Sequence, residues 1–239
     1  ESPRLKGSDP FILARHMDAR ALAYETPRRE IAARVPAGAR RVLDLGCASG
    51  GLATLLKARG EVEVVGVEVD EAYAAAAAGR CDRVVRADAE ALARRDDLEG
   101  ELGRFDCLVA ADVLEHLVDP WSALRAYAAL LDPGGTAVVS LPNVAHWSTY
   151  VHLARGTWPR LPEGVHDATH LRWFTLRDAR ELLDQAGLAV AAVERRPRLM
   201  WRGSRLDDLL GPAVVRVPVL RTLATFQHVL EARVSTSTD

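Results

Sequence analysis

An acid at the tip of a strand can grip a ribose diol, and a glycine-rich turn lets a ligand approach the backbone closely. The chain carries both. Arg41-Val42-Leu43-Asp44-Leu45-Gly46-Cys47-Ala48-Ser49-Gly50-Gly51 runs from an apolar strand through such a turn into a helix. Val62-Glu63-Val64-Val65-Gly66-Val67-Glu68 ends on a carboxylate, and Asp88 follows a third strand in Val84-Val85-Arg86-Ala87-Asp88-Ala89-Glu90. Glu68 can accept both ribose hydroxyls, and Asp88 can accept from an adenine amino group. One such acid alone would read as a solvated or helix-capping group. Asp44, Glu68 and Asp88 in succession behind a glycine turn point to a nucleoside site. The turn lacks the full G-x-G-x-x-G spacing of a dinucleotide site, and there is no P-loop lysine.

A second group follows in Ala110-Ala111-Asp112-Val113-Leu114-Glu115-His116-Leu117. If the chain turns helical at Asp112, then Asp112, Glu115 and His116 share one face. Two carboxylates and an imidazole together suit a divalent cation: carboxylates favour Mg²⁺ or Mn²⁺, and the imidazole tilts towards Mn²⁺, Fe²⁺ or Zn²⁺. The competing reading is a helix-capping Glu beside a His that needs no metal.

The elements that must position these groups alternate. Strands are expected near 41–45, 62–68, 82–86, 105–111, 134–141, 188–195 and 225–234, and helices near 50–59, 70–79, 89–95, 120–132 and 175–187. Near-continuous apolar runs such as Phe105-Asp106-Cys107-Leu108-Val109-Ala110-Ala111 suit parallel strands buried on both faces. The pattern predicts an α/β, doubly wound sheet with right-handed crossovers. Two helices, 10–23 and 28–34, precede it, within an N-terminal helical cap over 1–36. Residues 142–174, rich in His and Trp, form an insertion just past a strand's carboxyl end, and 197–223 a helical excursion, all within a single domain over 1–239. The excursion could serve a lipid-like ligand, make a homodimer interface or cover the sheet edge.

Apolar residues make up 49% and charged residues 27%, so the chain can build an ordinary globular core. A net charge of -2 argues against a dedicated polyanion binder, although Arg residues cluster near 194–205. Cys47, Cys81 and Cys107 have no metal-like spacing and read as core residues in a reducing compartment. With no apolar run long enough to span a membrane and no signal peptide in the sequence, a cytoplasmic location is expected.

Over about residues 24–195 the chain resembles the class I S-adenosylmethionine-dependent methyltransferases, and Val42–Gly50 is similar to that family's first motif, with Ala48 where glycine is usual. The resemblance implies a seven-stranded Rossmann-like sheet whose last strand is antiparallel. It implies S-adenosyl-L-methionine as cofactor, with Gly46, Cys47, Ala48 and Gly50 beside the methionine portion, Glu68 and Val69 at the ribose, and Asp88 and Ala89 at the adenine. Asp44, Ala111 and Asp112 complete this set, and Arg28 matches a position some relatives use near the cofactor carboxylate.

On the acceptor side, His166-Asp167-Ala168-Thr169-His170-Leu171-Arg172-Trp173-Phe174-Thr175 follows the earlier acidic motif. That pairing is similar to metal-dependent small-RNA 2′-O-methyltransferases and to ubiquinone-pathway O-methyltransferases. By residue-wise carry-over the metal ligands are Asp112, Glu115, His116 and His170. Leu141-Pro142-Asn143-Val144-Ala145-His146-Trp147 with the later stretch is also similar to bacterial glycan and secondary-metabolite methyltransferases. On that reading Asn143, Trp147, Trp158, Asp167, Arg172 and Trp173 shape an acceptor pocket, Arg172 pairing with Asp167 or reading an anionic group. His146 and His170 are the candidate bases, with His146 serving if a metal holds His170, and His116 stands beside the cofactor. Leu141-Pro142-Asn143 differs from the tetrapeptide of nucleobase amino-methyltransferases, which disfavours a nucleic-acid substrate. The expected reaction is O-methylation of a sugar, glycan or other small hydroxylated acceptor. The alternatives are a metal-free quinone or polyketide O- or C-methyltransferase and a non-catalytic cofactor-binding module.

Overall fold

The structure, a computed structural model, describes residues 28–200 and 204–235. Seven strands form one sheet in the order β3-β2-β1-β4-β5-β7-β6. They are β1 Arg41–Leu45, β2 Glu63–Glu68, β3 Arg83–Arg86, β4 Phe105–Ala111, β5 Leu131–Pro142, β6 Leu188–Pro197 and β7 Thr225–Val234. Pairing is parallel from β3 to β5, and β7 runs antiparallel to both β5 and β6. This is the doubly wound sheet the alternation implied, with the antiparallel last strand the resemblance implied.

The apolar strands need two covered faces, and successive side chains feed two separate cores. Leu43, Val65, Leu108 and Val139 enter one cluster, while Val42, Val64, Val109 and Val138 enter the other. Helices α1 Arg29–Ala32, α2 Gly51–Lys57, α3 Glu71–Ala77, α4 Ala89–Ala93, α5 Leu98–Leu102 and α6 Pro120–Ala128 flank the first five strands. Helix α7 Trp147–Ala154 follows β5, α8 Leu176–Gln185 precedes β6, and α9 Arg205–Val214 and α10 Pro218–Ala224 lie between β6 and β7. Thr175 and Asp178 close α8 with a reciprocal capping box, and Phe174 before it is buried. The three cysteines are buried and unbridged.

Some expectations shift. The expected helix 10–23 lies outside the described residues, and 28–34 contributes only the single turn Arg29–Ala32. Helix α6 stops at Ala128 rather than 132 because Leu131 already pairs with Phe105, starting β5 before its Pro-Gly-Gly irregularity. No helix begins at Asp112: its φ is +56°, and only a 3₁₀ turn, Leu114–His116, follows. No helix among the described residues is long and apolar enough to cross a membrane.

Candidate active site

A cavity of about 950 Å³ opens at the carboxyl ends of β1, β2, β3 and β4, where an open α/β sheet places its ligand. One end is the glycine turn. Gly46, Ala48 and Gly50 all have positive φ, at 68°, 46° and 79°. For Ala48 this conformation costs about 1 kcal/mol that glycine would avoid. It is held by Glu68, whose Oε2 accepts from Ala48 N at 2.9 Å while Oε1 accepts from Asp70 N at 2.9 Å. A carboxylate oxygen has two lone pairs, so Glu68 retains capacity for a diol. Asp44 lines the same end, and burial, followed by the charge of Glu68, pushes its carboxyl up to about 7. Asp88 caps α4 through Ala91 N at 2.8 Å and also lines the cavity, as do Cys47, Val69, Ala89 and Ala111. Gly50 stands behind the lining as the left-handed N-cap of α2.

Arg28 and Asp112 form a bridge across the cavity wall. Arg28 Nη1 meets Asp112 Oδ2 at 2.5 Å and its Nε meets Glu30 at 2.7 Å. Asp112 Oδ1 accepts from Ser140 at 3.0 Å and from Gln227 Nε2 at 2.6 Å. With three donors on its carboxylate and a left-handed backbone, Asp112 joins Arg28 to β7 and lies outside the group of converging ligand atoms.

The remaining three expected ligands converge. Glu115, His116 and His170 place one ligand atom each within 4.8 Å of one another. Glu115 is fully buried with no hydrogen bond to either carboxylate oxygen among the described residues, and burial plus the charge of Asp112 raises its pKa well above the usual carboxylate range. His170 Nδ1 donates to Val165 O at 3.1 Å, leaving its Nε2 lone pair 3.9 Å from Glu115 Oε1. His116 Nδ1 faces Thr169 O at 3.2 Å and Thr169 Oγ1 at 3.1 Å, and the Thr169 hydroxyl donates to Asp167. Both rings are thus set as Nδ1–H tautomers with Nε2 open. Burial and the neighbouring His170 lower the pKa of His116. Two imidazoles aimed by carbonyls at an unpartnered carboxylate can hold a divalent cation or move a proton.

Other expected acceptor residues lie elsewhere. His146 does not line the cavity; its Nε2 donates to Arg198 O at 2.7 Å and its Nδ1 faces Ser148 Oγ at 2.8 Å. Burial pushes its pKa down to about 4, and both ring nitrogens are engaged away from the cavity. Trp147, Trp158 and Trp173 are also absent from the lining. Trp147 Nε1 donates to Arg198 O, and Trp158 and Trp173 stack edge-to-face at 5.2 Å. Asn143 is buried, its amide donating to Thr222 O and Thr225 O to tie β5 to β7. Arg172 binds Val118 O rather than Asp167 and lies 6.0 Å from the Trp121 ring. Asp167 does line the cavity.

Gln227 and Arg198, also in the lining, were not singled out from the sequence. Gln227 is opposite Pro142 in the antiparallel register, a placement only strand pairing reveals. Arg198 follows the last residue of β6, and the available signals were its place just past a strand end and within the Arg cluster near 194–205.

A family described as a methyltransferase domain matches residues 13–193. The ubiquinone biosynthesis O-methyltransferase of Xanthomonas campestris pv. campestris is 32% identical over 184 residues, 72% of this chain and 75% of the relative. The enzyme of that description from Neisseria meningitidis is 31% identical over 157 residues, 64% of this chain, and the match spans just under two thirds of its own length, 65%. An S-adenosylmethionine-dependent methyltransferase from Archaeoglobus fulgidus shares the fold, with a TM-score of 0.61 and 19% identity over 94% of this chain and 100% of that one. With a match over most of its length and a glycine turn backed by strand-tip acids, the chain belongs to the class I S-adenosylmethionine-dependent methyltransferases.

Proposed function

We propose that the enzyme methylates a hydroxyl oxygen of a small acceptor, with a ring hydroxyl of phenolic type favoured over a sugar. In this reading the sulfonium cofactor lies over Asp44, Glu68 and Asp88, and its methyl group points at the Glu115–His116–His170 cluster. The acceptor oxygen loses its proton, its lone pair forms the new C–O bond, and the C–S electron pair returns to sulfur. Such in-line displacement depends mainly on positioning and on removal of the hydroxyl proton. The observation that carries the reading is the buried, unpartnered Glu115 carboxylate facing two imidazoles whose Nε2 atoms are open. His116 or His170 can take the hydroxyl proton on Nε2.

The same donors fit a divalent cation, since a buried carboxylate without hydrogen bonds is costly unless it gains a positive partner. Glu115, His116 and His170 would be the ligands, a donor set that suits Mn²⁺, Fe²⁺ or Zn²⁺ better than Mg²⁺. When bound, such a cation lowers the pKa of a coordinated hydroxyl. A sugar acceptor drew on a tryptophan wall, and those side chains lie outside the cavity lining. The phenolic acceptor gains support from the two relatives described as ubiquinone biosynthesis enzymes.

Transfer of a labelled methyl group from S-adenosylmethionine to a panel of catechols and monosaccharides tests this, before and after EDTA treatment. Label on a catechol oxygen, lost with EDTA and restored by Mn²⁺, is the expected result. Label on carbon or on sugars alone contradicts the proposed acceptor, and activity indifferent to EDTA contradicts the cation. Calorimetric titration of Mn²⁺ into the wild type and Glu115→Gln checks the cation without turnover.

A further inference from the structure

The acceptor end of the cavity contains a fixed, half-buried guanidinium, Arg198, to which no function has yet been given. Its backbone is pinned from three directions. Arg198 N donates to Ala224 O at 2.9 Å, and Arg198 O accepts from His146 Nε2 at 2.7 Å and Trp147 Nε1 at 3.2 Å. Its guanidinium carbon lies 3.6 Å from the centroid of the Phe226 ring, so one face is covered. A guanidinium stacked in this way still presents N–H donors along its edge, in a fork that matches a carboxylate or a phosphate.

Two neighbouring guanidinium groups are otherwise engaged. Arg28 is paired with Asp112 and Glu30, and Arg196 with Glu194 at 3.5 Å. Among the described residues no carboxylate forms an ion pair with Arg198. The acids whose charge reaches it are Glu163 and Asp207. Asp207 is committed to the backbone N–H groups of Leu199, Met200 and Ser204, and Glu163 is exposed on a loop. Burial lowers the pKa of Arg198, as expected for a desolvated cation without a direct partner. Leaving a desolvated charge unpaired is unfavourable, and an anionic ligand would remove that cost.

We propose that Arg198 receives an anionic group, carboxylate or phosphate, carried by the acceptor, so that the preferred substrates are hydroxylated acids rather than neutral phenols. The inference rests on the methyl-transfer reading above. It also gives His146 and Trp147 a shared role as positioning residues: both grip the carbonyl of Arg198 and set the direction from which the guanidinium enters the cavity.

Calorimetry on the protein loaded with S-adenosylhomocysteine tests the proposal with 3,4-dihydroxybenzoate, its methyl ester and 4-hydroxyphenyl phosphate. Wild-type protein should bind the better anion at least about tenfold more tightly than the neutral ester, in keeping with a charge-assisted pair. The carboxylate and phosphate arms identify which group the site takes. Arg198→Gln should bring acid and ester to within about twofold, and Arg198→Lys, which keeps charge but loses the fork, should retain part of the gap. Unchanged S-adenosylhomocysteine affinity shows that both variants are folded. Equal binding of acid and ester by the wild type overturns the proposal, as does a gap that survives in Arg198→Gln or no anion binding up to about 10 mM, a very weak limit. Arg198-dependent anion binding in a protein that transfers no methyl group sustains the anion site and sinks the acceptor reading instead.

Discussion

Between Asp44 and Asp88 the chain assembles the proposed cofactor end of the cavity from three consecutive strand tips, whereas the proposed acceptor end draws Glu115, His170, Arg198 and Phe226 from four separate segments. At the first end, parallel pairing aligns the tips, and Glu68 reaches one strand over to hold Ala48. The geometry is fixed by the sheet itself. At the second end, His116 is aimed by Thr169 and Arg198 by His146 and Trp147, contacts distant in sequence. A local scaffold suits an invariant cofactor, and a mosaic of loops can change acceptor without disturbing it.

That division can be challenged most strongly at Glu115. Glu115→Gln keeps shape and removes charge, and methyl transfer should fall by about a thousandfold or more, a loss in keeping with removal of a proton-moving or cation-holding group. S-adenosylhomocysteine affinity should change by no more than about twofold. Parallel turnover and calorimetry would show whether the loss is confined to one end.

Asp44 probes the cofactor end through pH. Its folded-state pKa of about 7 lies above the ordinary value of 3.8, so the folded protein holds a proton that the unfolded chain releases. The stabilisation is complete below about pH 4 and is lost as pH rises through about 7, a change of about 4 kcal/mol. Asp44→Asn should remove that slope. In the ligand-free protein, wild-type Tm should drop between pH 5 and 8 by several degrees more than the variant's. Equal drops would show that Asp44 is not the group responsible.

The sequence made the cofactor end readable because its signals are local. A glycine turn, a strand-end acid and the spacing of βα units lie along one stretch of chain, and all three acids do reach the cavity. The acceptor end was readable only in part. Glu115, His116 and His170 were identified and do meet, but Asp112 was expected on a helix face and instead takes a left-handed turn towards Arg28. His146 and Trp147 were singled out for reactivity and aromatic surface. Their ring nitrogens point at a backbone carbonyl contributed by residue 198, which no local pattern announces.

His146 separates those two views quantitatively. As a positioning residue it should leave kcat for an acidic acceptor nearly unchanged on mutation to Gln while raising KM about fivefold, with the pH profile intact. As a general base its loss would lower kcat by about a hundredfold or more and remove a titrating limb. A milder effect is expected at Trp173, which is 39% exposed and faces Trp158 outside the cavity. Trp173→Ala should keep kcat/KM within about twofold, the range of ordinary surface changes; a loss comparable to that of Glu115→Gln would return it to the acceptor pocket.

The most direct test is the calorimetric affinity for S-adenosylhomocysteine in two variants, one at each end. Glu68→Gln should weaken binding at least about tenfold, because a charged acceptor of both diol and turn is lost. His170→Ala should bind as tightly as the wild type even though it no longer transfers a methyl group. Binding weakened as much by His170→Ala as by Glu68→Gln would contradict the separation of the two ends.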